Sequence, residues 1–454
     1  MTTAYHPRGA GLCGLLLALA LQKYAPDVEF EIYEAAAQLT QAGVGIGIQP
    51  RTWFVLKELG LEAALLNIAG NGEKPRLSIM YRKSDQRKGL TFSDVDQAEE
   101  SFTFHRGELQ KVFIDHLRSP EQIRLGKRFV SYTERADFPG KIEVRFQDGS
   151  TTTCDLLVGC DGIKSGVRAA MFTRLADAAS AAGRDGEAEV LRSYIPAVFS
   201  GSCAYRGVIH RKEEPGDEDK PQPLNRANML LHLVAYPIQR GRALNVAAVV
   251  TKPELRGTIY AGPWTANVPA EEVVKEYVGW EPEVEDIVQN MGSWSKWAIN
   301  MVKKLPTFVD GRVALVGDAA HAMTPHQGAG AGQGFEDVIM LGLLLGRANV
   351  THKTIPVALK IYDETRRPVA QNVAALSLKS GHLHSFIGPE FATVTPEMSA
   401  AGEGLTLEQL KKVGERIEGL LAWRKGTTVM DDCQSAIRKL REQLANTLVP
   451  SVNL

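Results

Sequence analysis

Cysteine is scarce: Cys13, Cys154, Cys160, Cys203 and Cys433 are scattered over 454 residues. That spacing excludes a disulfide-stapled framework and a clustered zinc site, and it points to a reducing compartment. A net charge of one sign is also missing. Fifty-two Lys and Arg stand against 53 Asp and Glu, a formal charge of -1, so no long-range field draws the chain to nucleic acid or anionic lipid. Long apolar runs are absent too. The N-terminal stretch 15–21 falls far short of the ~20 residues of a membrane span, and no charged leader and cleavage site mark it as a secretory signal. The expectation is a soluble, cytoplasmic protein with no metal, no membrane span and no nucleic-acid partner. With 44% hydrophobic and 23% charged residues the composition is that of a globular chain, long enough for roughly three domain equivalents at ~150 residues each.

Glycines 9, 11 and 14 form G-x-G-x-x-G, followed by an apolar, alanine-rich helix over 15–22, a stop at Pro26-Asp27, a strand over 28–33 and then Glu34. Gly9 permits the tight turn, Gly11 removes a side chain that would collide with a pyrophosphate, and Gly14 lets helix and strand pack closely. Glu34 stands 20 residues beyond Gly14, where a carboxylate accepts hydrogen bonds from an adenosine ribose. The preceding segment, TTAYHPR, is wrong for the pattern: Pro7 and Arg8 occupy positions where a buried parallel strand wants Val, Ile or Leu. The first strand is therefore expected to be short, displaced to an edge or poorly formed.

Further along, FTFHRGELQKVFIDHL predicts a turn at Arg106 and a helix with Leu109, Val112, Phe113 and Leu117 on one stripe. Strands are predicted at 141–146 and 155–158 with a hairpin signal at Asp148-Gly149. Residues 170–190 read as a helix-loop connection, and a strand-rich region runs from about 204 to 250. An α/β pattern returns at 311–345, where an apolar strand ends at Gly317-Asp318 and glycines 328–334 feed a helix. The segments 361–379 and 406–445 read as helical.

Three separated segments, GAGLCG with Glu34, DLLVGCDGIKSGVR at 155–168, and GRVALVGDAAHAMTPHQGAGAGQGFED at 311–337, resemble in order the motifs of the FAD-dependent aromatic hydroxylases, especially the salicylate hydroxylase-like single-component flavoprotein monooxygenases. The resemblance spans about residues 9 to 375. It implies an α/β fold in which a Rossmann-like FAD-binding domain, 1–185 with 300–380, is interleaved with a sheet-rich substrate domain, 186–299, and followed by C-terminal helices, 381–454. It also implies FAD as cofactor, NADH or NADPH as electron donor, O2 as cosubstrate, and hydroxylation of a phenolic aromatic acid through an FAD C4a-hydroperoxide. The substrate would be salicylate or another hydroxybenzoate, with decarboxylation where the carboxylated carbon is attacked.

Residue by residue, the resemblance gives Asp318 the ribityl chain of the flavin, and Pro325 the shaping of the turn. Gly328, Gly330, Ala331 and Gly332 form a close backbone approach to the isoalloxazine, with the following helix aiming N–H groups at it. Arg106 contacts the ribityl or pyrophosphate side, with Gln110 beside it, and Asp161 lies near both FAD and nicotinamide. His321 and His326 belong to the cofactor surroundings. For the substrate, Arg82 matches the region of a carboxylate-binding arginine, needed because an unpaired buried carboxylate is costly. Arg206 organises the sheet or meets substrate, and His232 activates or orients the phenol, since imidazole accepts a proton near neutral pH. Tyr236 with Pro237 forms a wall near flavin. Trp294 and Trp297, at helical spacing, serve as packing or line an aromatic pocket. Two alternatives remain open: an epoxidase or hydroxylase of a larger nonphenolic metabolite, and a noncatalytic flavin-binding module.

Overall fold

In the computed structural model, which describes residues 3–39, 45–69, 78–96, 102–210, 227–230, 233–238, 243–425 and 428–448, the glycine cluster joins a strand to a helix. The strand Ala4–Arg8 lies in the interior of a seven-stranded sheet whose order is Val309–Asp310, Val313–Leu315, Leu156–Gly159, Ala4–Arg8, Ile32–Tyr33 and Ile123–Arg124, with Glu29–Phe30 also paired to Ala4–Arg8. All pairings are parallel except that of Val309–Asp310. The expectation of a displaced or malformed first strand is thus corrected. Tyr5, His6, Pro7 and Arg8 pair in register with residues 156–159, and aromatic neighbours shield the misplaced polarity. His6 packs on the Tyr33 ring at 5.0 Å, and the Arg8 guanidinium sits over Tyr33, Phe129 and Phe146 at 4.9, 5.2 and 4.3 Å.

Phe129 and Phe146 come from a three-stranded antiparallel sheet, Phe129–Glu134, Ile142–Phe146 and Thr151–Cys154, that covers this side of the strand. The Asp148-Gly149 signal marks its hairpin, with Gly149 at φ 82°. The parallel sheet also packs against helices Leu12–Tyr24 and Gly330–Leu345, which share one large apolar core with it. These two helices approach closely where small residues face each other: a Cβ on Gly342 would come within 2.8 Å of the Ala20 Cβ.

A second, eight-stranded sheet has the order Thr265–Val268, Trp294–Met301, Val198–His210, Ala243–Thr251, Leu233–Ile238, Ala227–Leu230, Ser78–Lys83 and Leu90–Asp96. Two of its strands come from well outside the segment 186–299. Strand alternation divides its faces. Tyr205, Leu233, Leu244, Val246 and Ala248 pack under the helices Ala270–Val274 and Pro282–Gln289, leaving Ala204, Arg206, Val234, Asn245, Ala247 and Val249 to the other side. The helical C-terminal part contains Ile355–His384, Pro396–Ala400, Leu407–Leu420 and Val429–Leu448. Leu410, Val413 and Ile417 pack against Tyr81 and Phe92 of the second sheet. Among the described residues no helix is long and apolar enough to cross a membrane, and no group of three or more His, Cys, Asp or Glu is placed to hold a metal ion.

Candidate active site

The G-x-G-x-x-G turn forms because its glycines tolerate what side chains cannot. Gly9 has φ 102°, and a Cβ on Gly14 would lie 1.9 Å from the Gly9 carbonyl oxygen. Gly11 differs: a Cβ there would meet nothing within 4 Å, so the chain bends around open space at the start of helix Leu12–Tyr24. A helix start with free N–H groups and no side chain in front of it suits a pyrophosphate. Glu34, at the end of Ile32–Tyr33, accepts 2.8 Å hydrogen bonds from the N–H groups of Ala10 and Ala36. It braces the turn, and a carboxylate with about four lone-pair sites keeps capacity for a ribose hydroxyl. Gln110 donates to the Ala10 carbonyl at 2.9 Å. One turn earlier, half-buried Arg106 opens the helix Arg106–Asp115; its charge is felt by Cys13 and by Asp318.

The third motif supplies the floor of a cavity of about 460 Å³. After strand Val313–Leu315, Gly317 turns with φ 60° and Asp318 begins a short helix. Asp318 lies deep in the molecule yet its side chain is accessible, because it opens into the cavity. Burial raises its carboxyl pKa, against the pull of His321, Arg106 and Arg168. Pro325, Gly328, Gly330 and Ala331 line the same cavity. Gly332 does not: a Cβ there would strike the Thr52 hydroxyl at 2.3 Å, so this glycine serves helix packing. Across the cavity stand Ile79, Tyr81, Ala204, Arg206, Val234, Asn245 and Ala247 from the second sheet.

A buried charge network fixes the floor. Asp337 accepts from His321 at 2.6 Å, from Arg366 at 2.9 Å and from the Gly317 N–H at 3.0 Å. Burial pushes its carboxyl up, but His321 and Arg366 outweigh that and hold its pKa low. Arg366 also pairs with Glu336 at 2.9 Å, and Glu336 with Arg51 at 2.7 Å. His321 is therefore a brace, whereas His326 faces the cavity. Asp161 uses one oxygen on the Ser165 hydroxyl and the other on the N–H groups of Gly166 and Val167, capping the helix Gly166–Ala181; burial raises its pKa. Arg168, overlooked among the sequence candidates, joins the second motif to the third by donating to the carbonyls of Ile163 and Ala319.

The expected substrate residues fare unevenly. Arg82 is not brought to the cavity. In its strand Ile79 and Tyr81 face the cavity, while Arg82 turns to the opposite side and pairs with Glu281 at 2.6 Å and Thr91 at 2.9 Å. Arg206 lines the cavity, its guanidinium 5.4 Å from the Trp297 ring. His232 lies outside the described residues, and of Tyr236 only the backbone, in Leu233–Ile238, is described. Trp294 and Trp297 sit in a strand rather than a helix: Trp294 is 1% exposed in the sheet core and Trp297 is 40% exposed, and neither lines the cavity. Sequence reasoning missed Tyr81, His384 and Arg424, which do line it.

A family model described as an FAD binding domain matches residues 9–377. Salicylate hydroxylase from Pseudomonas putida is 31% identical over 394 residues, covering 84% of this chain and 86% of that protein. An FAD-dependent monooxygenase from Strobilurus tenacellus is 32% identical over 469 residues, covering 96% and 97%. A solved salicylate hydroxylase substrate complex superposes with a TM-score of 0.76 at 26% identity, covering 96% of this chain and 98% of that one. The open cradle at Gly11, the Glu34 carboxylate beside it and the loop from Asp318 to Ala331 are compatible with an FAD, and the chain belongs to the salicylate hydroxylase-like family of FAD-dependent monooxygenases.

Proposed function

We propose that the enzyme uses NADH or NADPH and O2 to hydroxylate a small phenolic aromatic acid, with salicylate or another hydroxybenzoate as substrate. The observation that carries this reading is the cavity itself, lying between the Asp318–Ala331 loop and one face of the second sheet. At about 460 Å³ it lies in the lower part of the ~300–1,000 Å³ range of small-molecule sites. That space suits one small ring beside a flavin ring.

Bound FAD supplies hydride acceptance from the nicotinamide and activation of O2. This chain's residues do the rest. Gly9 to Gly14, Glu34, Arg106 and Gln110 hold the adenosine and pyrophosphate end. Asp318 would hold the ribityl side of the flavin, and the N–H groups at the start of helix Gly330–Leu345 would favour negative charge on its ring. Ile46, Ile48, Ile79, Phe102 and Val234 sandwich the substrate ring and keep water from the reacting atoms. His232 remains the proposed acceptor of the phenol proton, on the sequence pattern alone.

The test is product-resolved turnover of FAD-loaded protein with salicylate and isomeric hydroxybenzoates, using NADH and NADPH in turn and following O2 and CO2. Catechol with one CO2 per nicotinamide establishes decarboxylative hydroxylation; a dihydroxybenzoate without CO2 establishes simple ring hydroxylation. No substrate-dependent nicotinamide oxidation across the panel would rule out this substrate class.

A further inference from the structure

The matched family model ends at residue 377, yet the chain beyond it contributes His384, Ser385, Leu421 and Arg424 to the cavity wall. Arg424 arrives there through a chain of local causes. The helix Leu407–Leu420 starts at a capping box between Thr406 and Gln409, and its stripe of Leu410, Val413 and Ile417 is buried against Tyr81, Phe92 and Leu383. The position of its far end is thereby fixed. The chain then turns through Ala422–Arg424 and is pinned on the flavin-side loop by one side chain. Gln327 accepts from the Trp423 indole at 2.8 Å, and donates to the Leu420 carbonyl at 3.1 Å and the Ser380 hydroxyl at 2.9 Å. The Gln327 carbonyl in turn receives the Arg424 guanidinium.

Two permanently charged cations, Arg206 and Arg424, lie among the described cavity-lining residues, and Asp318 is the one carboxylate there. The two arginines are placed differently. Both are half-buried; Arg206 leans over the Trp297 ring, whereas Arg424 is set beside buried Tyr81. Burial pushes the Arg424 guanidinium down to about 10, so an anion brought against it relieves a desolvated charge and gains a charge-assisted hydrogen bond. Arg82, the other arginine suited to a carboxylate, is taken by Glu281 on the far side of the sheet.

We propose that Arg424 binds the carboxylate of the substrate, so that the C-terminal helical segment, docked through Gln327, sets the preference for a ring acid over a neutral ring. The proposal rests on the phenolic-acid reading above and names the residue that enforces it. The planar guanidinium offers two parallel N–H donors to a carboxylate, while Ile79, Val234 and Leu421 of the same cavity accept the ring.

The test uses oxidised, FAD-loaded protein without turnover. Salicylate and its neutral counterpart salicylamide are titrated while the visible flavin absorption band is followed. Wild type is expected to prefer the acid. Arg424→Met should weaken salicylate binding about 30- to 100-fold, on the scale of truncating one partner of a buried charge pair, and change salicylamide binding less than about threefold. Arg424→Lys should recover part of the loss for the acid alone. Equal weakening of both ligands would make Arg424 a purely structural clamp on Gln327 and overturn the proposal. So would unchanged salicylate affinity, or an acid preference abolished by Arg206→Met and kept by Arg424→Met. If wild type binds no hydroxybenzoate at all, the functional reading falls together with this one; if it binds the acid and the variants bind it equally well, only the role of Arg424 falls.

Discussion

Replacing Arg8 with leucine should make the protein more stable. Arg8 ends an interior strand, is 1% exposed, and none of its three guanidinium nitrogens has a hydrogen-bond partner among the described residues. Burial lowers its pKa from 12.5 to about 10, against the favourable field of Asp161 and Tyr33. At 1.36 kcal/mol per unit, that shift means that keeping the charge in the fold costs about 3 kcal/mol. The compensation is cation–π attraction to Tyr33, Phe129 and Phe146, worth about 0.5–2 kcal/mol per favourable pair and in part already contained in the shifted pKa. Leucine returns dispersion with the same rings and needs no solvation, and replacement of buried ions by apolar residues is often neutral or stabilising by about 1–4 kcal/mol.

The expected gain for Arg8→Leu is therefore about 1–3 kcal/mol. Urea denaturation of the FAD-free protein measures it: the midpoint rises with an unchanged slope. Arg8→Lys is the counterpart. It retains a charge, concentrates it on a more strongly hydrated ammonium and loses the planar stacking, so its midpoint should fall by an amount equivalent to about 1–2 kcal/mol. A midpoint for Arg8→Leu below wild type would refute the reasoning, because it would show the aromatic cage supplying more than the lost hydration removes.

His6, buried two residues earlier, has its pKa lowered by burial from 6.5 to about 4. Its contribution is fully present above the unfolded pKa and is lost as pH falls from about 6.5 towards 4, up to about 3 kcal/mol; His6→Val should flatten that part of the stability-pH curve, and parallel curves would exclude the assignment. Gly11→Ala should leave the unfolding midpoint of the FAD-free protein within about 0.5 kcal/mol, since its Cβ meets open space, while fluorescence titration shows FAD affinity reduced at least about tenfold. Gly14→Ala should do the reverse and lower the midpoint itself, because its Cβ would overlap the Gly9 carbonyl; equal behaviour of the two variants would sink the cradle interpretation. Arg366→Met leaves Asp337 and Glu336 buried without their shared cation and should cost about 3–5 kcal/mol in the same denaturation assay; a loss under about 1 kcal/mol would show that the network is not what fixes the loop.

What the sequence made legible was what backbone geometry dictates over short distances. The turn at Gly9–Gly14, the hairpin at Gly149 and the Gly317-Asp318 strand end are places where a positive φ or a close contact leaves few residue choices, so the residue types announce the shape. The strand Ala4–Arg8 was misjudged for the opposite reason. Its intrinsic preference is poor, but the hydrogen-bonding register offered by 156–159 and the rings of Tyr33, Phe129 and Phe146 come from distant segments, and tertiary pairing overrides local propensity. Arg82 shows a parity problem. A strand of unknown register gives no means of deciding whether Tyr81 or Arg82 faces the cavity, and a shift by one residue exchanges them. Trp294 and Trp297, spaced as if on one helical face, fall on opposite faces of a strand by the same arithmetic. Arg424 had no local signature at all, because its place in the cavity wall depends on where the helix Leu407–Leu420 ends after packing against the strands Ser78–Lys83 and Leu90–Asp96, more than 300 residues away in sequence. The cofactor end of this site is written in short motifs because its turns are set by backbone geometry. The facing cavity wall is assembled from side chains of separate segments, so neither the composition nor the spacing of any one of them contains it.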